Sequence, residues 1–239
     1  MEPLDFTRFF EDKNYLKLKN NLFNYLNRKR LLKHYSKKYI KHHQRIADIG
    51  SGISPVSPKP EKTLFIDISS PALDVLKKQG HKTLYGSITN LPISNNTFDS
   101  IFCSEVLEHV EDYLSALSEL HRILNPKGIA FITVPCWMHY WNIDDEFVGH
   151  HRRFHPNKFR ERLQAQGFNV LEVKKIGSKL DRLLTLQTVK QFDKAKKINS
   201  LLVNPYIAAN HLLSYAITLS TFFSEDKLSN IFLFICQKD

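Results

Sequence analysis

Cysteine is scarce in this sequence. The three cysteines, Cys103, Cys136 and Cys236, lie far apart and form no Cys-x-x-Cys pair. Because each sits in apolar surroundings, we expect buried, reduced thiols, and a disulfide-stapled mini-protein is excluded. The first five residues include two acids and no apolar core, which is not typical of a secretory signal, so we expect a cytoplasmic protein. With 42% hydrophobic residues, the 239-residue chain is not disordered and suits one globular domain.

Acidic residues are absent from one long segment. Residues 13–47 contain 11 Lys or Arg and no Asp or Glu, whereas the rest of the chain has 23 basic and 24 acidic residues. The protein is therefore a near-neutral body with a basic N-terminal segment. Apolar residues recur there every three or four positions, which predicts a helix over 13–45. A run of basic residues like this one is usually a solvated helix face, although contact with RNA phosphates or an anionic membrane surface stays open.

An uninterrupted apolar run of membrane-spanning length is also missing. Residues 206–223 contain no Lys, Arg, Asp or Glu, but Asn210, His211 and several Ser and Thr dilute the run. A transmembrane helix needs about 20 strongly apolar residues. We therefore predict a helix that packs over the core or over an apolar substrate.

Short apolar strands alternate with helices from residue 45 onward. The predicted strands are 45–50, 63–67, 98–104, 129–134, 169–176 and 230–237, and the predicted helices are 70–80 and 113–124. This alternation is typical of an α/β fold. We expect a doubly wound, Rossmann-like, mostly parallel sheet with an antiparallel C-terminal strand, an N-terminal helix and a helical insertion before the last strand.

A glycine-containing bend, Gly50-Ser51-Gly52, follows the first predicted strand. Glycine has no Cβ, so the backbone can turn tightly there and approach a ligand closely. Asp67 ends the next strand, where its carboxylate can accept hydrogen bonds from the two hydroxyls of a ribose. Since ligands of open parallel sheets bind at the carboxyl ends of the strands, these features predict a nucleoside-cofactor site. A dehydrogenase is disfavoured, because position 55 is a proline where the NAD fingerprint has a third glycine.

Several short motifs follow one another in a fixed order. They are Ala47–Gly52, Asp67–Ser69, Asn90–Pro92 with Phe98-Asp99, Ser104–Val110 and Leu120–Gly128. In this order they resemble the class I S-adenosylmethionine (SAM) methyltransferases, in the ubiquinone/menaquinone-methyltransferase-like (methyltransferase type 11) branch. The resemblance covers roughly residues 45–175 and implies SAM as cofactor and S-adenosylhomocysteine as product. We expect one SAM-methyltransferase domain over 1–239, made of a basic helical N-terminal segment (1–45), a cofactor-binding core (46–176), a helical cap (177–229) and a last strand (230–239).

The resemblance also implies individual cofactor contacts. Asp48 would orient the glycine loop near the amino group of the cofactor, Asp67 would hold the ribose and Ile68 would flank the adenine. The other implied contacts are Gly50, Ser51 and Gly52 along the methionine part, Ser87 and Ile88 at the adenine edge, and Ser104 and Glu105 beside the sulfonium.

The sequence departs from the family pattern in two places. Ser87 stands where the family usually has an acid that contacts the adenine. Three prolines at 55, 58 and 60 disfavour the helix that usually follows the glycine loop and whose N-terminus would help hold the cofactor carboxylate. We expect a basic side chain of the N-terminal segment to take that task. Glu105 and Glu108 fit equally well as solvated acids at a helix start.

The segment 134–154 crowds aromatic, acidic, histidine and arginine residues behind a strand end. Similar segments occur in bacterial methyltransferases that resemble this chain. The predicted acceptor-binding residues are Tyr140, Trp141, Arg152 and Arg153, because aromatic faces shape a pocket and arginine grips carboxylate or phosphate. If the acceptor must lose a proton, the candidate bases are His150, then His109 and His151. No metal is predicted, since the spacing of Asp144, Asp145, His150 and His151 matches no metal motif, and a structural ion-pair cluster is the other interpretation.

The predicted function is methyl transfer from SAM to oxygen or nitrogen of a small-molecule or lipid-like acceptor. Peripheral contact with an anionic membrane surface stays open, nucleic acid is not expected as a partner, and the oligomeric state is not predicted. Two alternatives remain. One is a non-catalytic SAM-fold binding or scaffold protein, and the other is an RNA-directed methyltransferase that uses the basic N-terminal helix.

Overall fold

The computed structural model describes residues 17–41, 44–194 and 200–239. Its strands form one seven-stranded sheet in the order β3-β2-β1-β4-β5-β7-β6. Strands β1 to β5 are mutually parallel, while β7 runs antiparallel between β5 and β6. The predicted fold class is therefore confirmed. The strands are β1 (Ile46–Ile49), β2 (Thr63–Asp67), β3 (Lys82–Tyr85), β4 (Phe98–Ser104), β5 (Leu124–Pro135), β6 (Phe168–Lys175) and β7 (Ile231–Lys238).

Helices cover both faces of this sheet. They are α1 (Phe23–Ser36), α2 (Ser70–Lys78), α3 (Tyr113–Ile123), α4 (Ile143–Val148), α5 (Pro156–Ala165), α6 (Lys179–Lys194) and α7 (Ser200–Phe223). Helix α2 starts where the sequence predicts, because the Ser69 side chain caps it by accepting from Ala72 N. The Asp112 side chain caps α3 in the same way. Both α2 and α3 therefore follow a residue whose side chain satisfies a free backbone N–H.

The basic N-terminal segment is helical over a shorter range than predicted. Within the described residues, the helix is interrupted at 20–22, between a helical stretch at 17–19 and α1, and it ends at Ser36; the predicted residues 13–16 lie outside the description. Leu31 and Leu32 are fully buried, and the Tyr25 hydroxyl donates to the carbonyl of Pro55 at 2.7 Å. Packing against the sheet and the β1–β2 connection therefore fixes this helix.

The connection from β1 to β2 contains no α-helix, as its prolines predict. A short 3₁₀ helix at Pro60–Lys62 is its one helical turn. Ile53 and Val56 are buried, so the irregular chain is anchored by its own apolar side chains. The usual helix N-terminus beside the glycine loop is accordingly absent from this connection.

The core lies on both faces of the sheet. Phe102 and Phe131 stack at 4.7 Å between ring centroids on the face that α1 covers. The three cysteines are buried and free, which confirms the predicted thiols. Among the described helices, including α7 with its apolar stretch, none is long and apolar enough to cross a bilayer.

The strand order reverses between β1 and β4. Chain connections from β1 run toward β2 and β3, whereas those from β4 run toward β5, so a crevice opens between the carboxyl ends of β1 and β4. The loops after β1, β2, β4 and β5 end at this edge. These are the loops that carry the predicted site residues.

Candidate active site

The glycine loop and the acid after β2 meet at the tips of their strands. Gly50 and Gly52 both adopt left-handed backbone, with φ of 70° and 49°, which favours glycine. The N–H of Gly52 donates to Oδ2 of Asp67 at 2.7 Å, and Ser69 N donates to Oδ1 at 2.8 Å. Each carboxylate oxygen has a second lone pair. Asp67 therefore orders both loops and keeps acceptor capacity toward the crevice.

The two glycines have different surroundings. A Cβ on Gly50 would lie 2.5 Å from Cγ2 of Val106, so this position has no room for a side chain. A Cβ on Gly52 would meet nothing within 4 Å. Gly50 thus lets β1 pack against the chain after β4, and Gly52 leaves open space above the loop.

Asp48 holds the irregular connection in place. The side chain is buried, and its Oδ2 accepts hydrogen bonds from Val56 N at 2.8 Å and Ser57 N at 3.0 Å. Burial raises the pKa of this carboxyl to about 7, although the two backbone bonds oppose the shift. Asp48 therefore holds the chain at Val56 and Ser57, and its role at the glycine loop stays a prediction.

The side of the crevice beyond Asp67 is apolar and open. Ile68 is 64% exposed, an unusual degree for isoleucine, while Ile88 is buried nearby in the chain after β3. The Ser87 hydroxyl is 2.9 Å from Oγ1 of Thr89 and belongs to its own turn. The uncovered face of Ile68 therefore offers a surface to a flat ring, whereas Ser87 already has a partner.

The N-terminal segment covers the glycine loop from the other side. Nδ2 of Asn20 donates to the carbonyl of Ile53 at 2.9 Å, and Ser54 Oγ donates to Oδ1 of Asn20 at 2.8 Å. Arg28 of α1 is largely buried, with Nη1 3.8 Å from Oε2 of Glu105. Its Nε has no hydrogen-bond partner within the described part of the chain. A buried guanidinium with a spare donor thus lies at the carboxyl end of β4.

The end of β4 is fixed by hydroxyl contacts. Ser104 Oγ is 2.8 Å from Thr133 Oγ1 of β5, which in turn donates to Oε1 of Glu105 at 3.1 Å. Glu105 adopts left-handed backbone with φ of 55°, a strained conformation for a residue with a side chain. Its carboxylate is therefore held between Thr133 and Arg28.

Two of the three predicted histidines come together beside a buried acid. Nδ1 of His150 donates to Oδ1 of Asp145 at 2.7 Å, and the rings of His109 and His150 meet at 4.6 Å between centroids. Glu108, which the sequence also allowed as a solvated acid, is fully buried, and burial raises its pKa. Desolvation, followed by the charge on His150, lowers the pKa of His109 to about 4. The third predicted histidine, His151, is exposed.

The two predicted arginines differ in environment. Arg153 is buried, with Nε 2.8 Å from Oδ1 of Asp145, and it also faces Asp144 at 3.8 Å. Arg152 is half-buried, donates to the carbonyl of Glu111 at 3.0 Å, and lines a groove of about 410 Å³. Arg153 is therefore part of an ion-pair network, while Arg152 has donors left for a ligand.

The predicted aromatic residues lie farther along the same loop. The Tyr140 hydroxyl donates to the carbonyl of Lys227 at 3.3 Å, and Trp141 Nε1 donates to Oε1 of Glu146 at 3.4 Å. Arg182 of α6 binds Asp144 through Nη2 at 2.8 Å and also donates to the carbonyl of Tyr140. Helix α6 therefore fastens this loop from the helical cap.

Three residues at this site were not predicted from the sequence as site residues. Arg28 was one of 11 basic residues in its segment, and only the fold separates it from the others. Arg182 reaches Asp144 across 38 positions, so no local pattern reveals it. Glu108 stands within the motif Ser104–Val110, which could have drawn attention to it.

Comparison with known proteins agrees with this geometry. Residues 47–132 match the family described as a methyltransferase domain. Over these residues, about a third of the chain, the protein is similar to the class I SAM-dependent methyltransferases. SAM is the cofactor of this class. The match includes β1, β2 and β4 with their loops, and therefore the glycine loop, Asp67 and Glu108.

Curated relatives share only part of their length with this chain. An uncharacterized protein of Methanocaldococcus jannaschii is 42% identical over 76 residues, which are 32% of this chain and 33% of that protein. The demethylmenaquinone methyltransferase of Staphylococcus epidermidis is 32% identical over 94 residues, which are 35% of this chain and 39% of that enzyme. The chain spans between a third and a half of the length of the first curated relatives it matches.

A solved structure matches nearly the whole chain. A SAM-dependent methyltransferase of Thermotoga maritima, described as a possible histamine N-methyltransferase, superposes with a TM-score of 0.65 at 17% identity. The alignment covers 98% of each chain. At this identity the likeness supports the shared fold alone.

Proposed function

We propose that this chain transfers a methyl group from SAM to an oxygen or nitrogen of a small-molecule or lipid-like acceptor. The observation that carries the proposal is the 2.7 Å hydrogen bond between Gly52 N and Asp67 Oδ2. It joins the tips of β1 and β2 at the point where the strand order reverses, which is where open α/β sheets bind nucleotide-like ligands.

The adenosine end of the cofactor fits the residues beyond this hydrogen bond. Asp67 keeps free lone pairs for the two ribose hydroxyls. The exposed face of Ile68 lies next along the chain and would be covered by an adenine ring. Since the Ser87 hydroxyl is engaged with Thr89, we infer that backbone groups rather than this hydroxyl contact the adenine edge.

Arg28 is our candidate for holding the carboxylate of the methionine part. The β1–β2 connection lacks the helix N-terminus that would serve an anion there. Arg28 lies at the end of β4 with a buried donor to spare, and a guanidinium matches carboxylate geometry with two parallel hydrogen bonds. Its contact to Glu105 at 3.8 Å is loose enough to be exchanged.

The sulfonium of SAM supplies an electrophilic methyl group and leaves as a neutral thioether. The protein therefore contributes mainly alignment of the acceptor and exclusion of water, and positioning alone can supply about 7–11 kcal/mol. Asn20, through Ile53 and Ser54, ties the N-terminal segment over the glycine loop. This cover would shield the reacting atoms on that side.

A hydroxyl or ammonium acceptor must also lose a proton. His150 remains our first candidate, because Asp145 accepts from its Nδ1 and leaves Nε2 free to take a proton. His109 lies against it, and its lowered pKa keeps the ring neutral at pH 7. His151 stays a weaker proposal, since its exposed ring lies outside this pair.

An exposed apolar stripe on α7 supports the lipid-like acceptor and peripheral contact with an anionic membrane surface. The stripe consists of Leu212, Tyr215, Leu219, Phe222 and Phe223, which are 54–82% exposed. Helix α1 packs beside α7; its Lys29 and Lys33 are exposed, as is Lys37 directly after it. An exposed apolar stripe on a helix that neighbours a basic one suits an anionic lipid interface. Vesicle sedimentation tests this proposal. Leu219→Glu should lose binding to anionic vesicles. If the wild type binds neutral vesicles as well as anionic ones, the charge argument is contradicted.

Titration calorimetry with SAM and with S-adenosylhomocysteine tests the central proposal. We expect one saturable site for each ligand. Arg28→Ala should weaken the binding of both ligands. Arg30→Ala is the control and should not weaken it, because the Arg30 side chain binds α7 through Ser214 and Thr218. Absence of binding to the folded wild type would favour the scaffold alternative. Binding together with methylation of RNA but of no small molecule would favour the RNA-directed one.

A further inference from the structure

Three side chains bring their ligand atoms together at the acceptor end of the crevice, which is formed by the chain after β4 and the segment 134–154. Glu108, His109 and His150 each contribute one carboxylate oxygen or ring nitrogen, and the three atoms lie within 4.8 Å of one another. Nε2 of His150 is 3.7 Å from Oε1 of Glu108, which is too long for a hydrogen bond. Ligands bound to a first-row cation at about 2.0–2.2 Å lie about 3–4 Å apart. The group is therefore close to the size that one ion requires.

The Glu108 carboxyl most needs a partner. The side chain has no exposed surface, and neither oxygen accepts a hydrogen bond from any residue in the described ranges. A buried acceptor that is left unsatisfied costs about 1–3 kcal/mol, and more when it is charged. A cation bound between this carboxyl and the two imidazoles would give the carboxylate the partner that it lacks.

Both histidines are oriented as metal ligands usually are. Nδ1 of His150 donates to Oδ1 of Asp145 at 2.7 Å, and Nδ1 of His109 donates to the carbonyl of Gly149 at 3.3 Å. A proton on Nδ1 leaves Nε2 with a bare lone pair. Metal-bound histidines typically donate their other ring N–H to a carboxylate or backbone carbonyl in this way. Asp145 is itself fixed by Arg153, so the support of His150 is rigid.

We propose that Glu108, His109 and His150 bind one divalent first-row transition-metal ion, such as Zn²⁺, Co²⁺ or Mn²⁺. Two imidazoles and one carboxylate suit these ions better than Ca²⁺, which prefers six to eight oxygen ligands. This set differs from the one considered in the sequence, because Asp144 and Asp145 are occupied by arginines.

The site would act on the acceptor, and this extension rests on the proposed function. Three protein ligands leave coordination positions for water or for a hydroxyl oxygen of the acceptor. A bound cation lowers the pKa of such a hydroxyl, so it takes over the task proposed for His150, and the released proton passes to solvent. The proposal thereby narrows the acceptor to a molecule with a hydroxyl group beside the glycine loop.

Calorimetry and visible spectroscopy with Co²⁺, after removal of bound metal by a chelator, test the site. We expect one Co²⁺ per chain with d–d absorption bands that Zn²⁺ abolishes by competition. His109→Ala and His150→Ala should each weaken binding by at least 100-fold. The matched control is His151→Ala, which removes an exposed neighbouring imidazole and should bind as the wild type does. His109 is not part of the hydrophobic core, so its variant should fold even if Glu108→Gln does not.

Failure of this proposal can be told apart from failure of the proposed function. The proposal is overturned if the folded wild type shows no saturable Co²⁺ or Zn²⁺ binding, or if His109→Ala and His150→Ala bind the metal unchanged. S-adenosylhomocysteine binding is measured on the same chelated sample. Cofactor binding without metal binding overturns the metal site alone, whereas metal binding without cofactor binding supports the site and overturns the proposed function.

Discussion

The two ends of the crevice are built by different means. At the cofactor end, backbone N–H groups carry the structure, since Gly52 and Ser69 both donate to Asp67. At the acceptor end, charged side chains do so, since Asp145 holds both His150 and Arg153. Backbone geometry is determined by a few residues that are neighbours in the sequence, whereas a side-chain network joins residues that are far apart in the sequence. The first end should therefore respond to substitution through ligand binding and local backbone, and the second through global stability.

The largest effect is expected at the acceptor end. Arg153→Ala should lower the free energy of unfolding by up to about 3–5 kcal/mol, because the buried carboxylate of Asp145 loses its nearest cation and keeps only Arg182 at 3.6 Å and the His150 ring. Urea denaturation at pH 7 measures the change. Arg152→Ala is the matched control, since it loses one bond to the carbonyl of Glu111 and should cost about 1 kcal/mol. Similar losses in both variants would contradict the contrast between the neighbouring arginines.

At the cofactor end, Asp67→Ala should weaken S-adenosylhomocysteine binding by about 100-fold. Two hydrogen bonds to a carboxylate contribute about 3 kcal/mol or more together, and about 1.4 kcal/mol corresponds to a factor of ten. Calorimetry on the folded variant gives the dissociation constant. Asp74→Ala, at an exposed position of α2, should leave it unchanged. Unaltered affinity in the Asp67 variant would remove this residue from the ribose site.

The same contrast explains how much could be predicted from sequence. Six of the seven strands in the described sheet and the glycine–acid pair were predictable, because apolar runs, glycine and a strand-end acid act through local geometry. Strand β3 was not predicted, since none of its residues is buried. The pairing of Asp144 with Arg182 joins residues 38 positions apart, so no spacing rule indicates it. Glu108 could be read as solvated, since burial depends on how the loop around His150 returns to it. The predicted N-terminal helix is interrupted at 20–22 and ends at Ser36, and the regular apolar spacing of the segment indicates neither boundary.

Within the cofactor end, the two glycines should differ. Gly50→Ala should cost about 2–3 kcal/mol of stability, since a left-handed backbone costs about 1–2 kcal/mol with a side chain and crowding against Val106 adds to it. Gly52→Ala should cost only the strain of the left-handed backbone, about 1–2 kcal/mol of stability, because the space around Gly52 is open. Thermal or urea unfolding of the two variants measures both. A larger loss at Gly52 would mean that the loop packs differently.

The last comparison concerns the slope of stability against pH, which depends on a buried acid between the two ends. Burial raises the pKa of Asp181 to about 7, and its Oδ1 lacks a partner in the described chain. An unfolded aspartate has a pKa of about 3.9, so between about pH 4 and 7 the folded state holds an extra proton. Stability must then fall as pH rises through this window, by at most about 1.4 kcal/mol per pH unit for one group. Asp181→Asn should flatten that slope, as seen in urea titrations at pH 5, 6, 7 and 8, and Asp74→Asn should not. A slope that stays the same in Asp181→Asn would show that the acid is already ionised in the folded protein and that the acceptor end balances its charge.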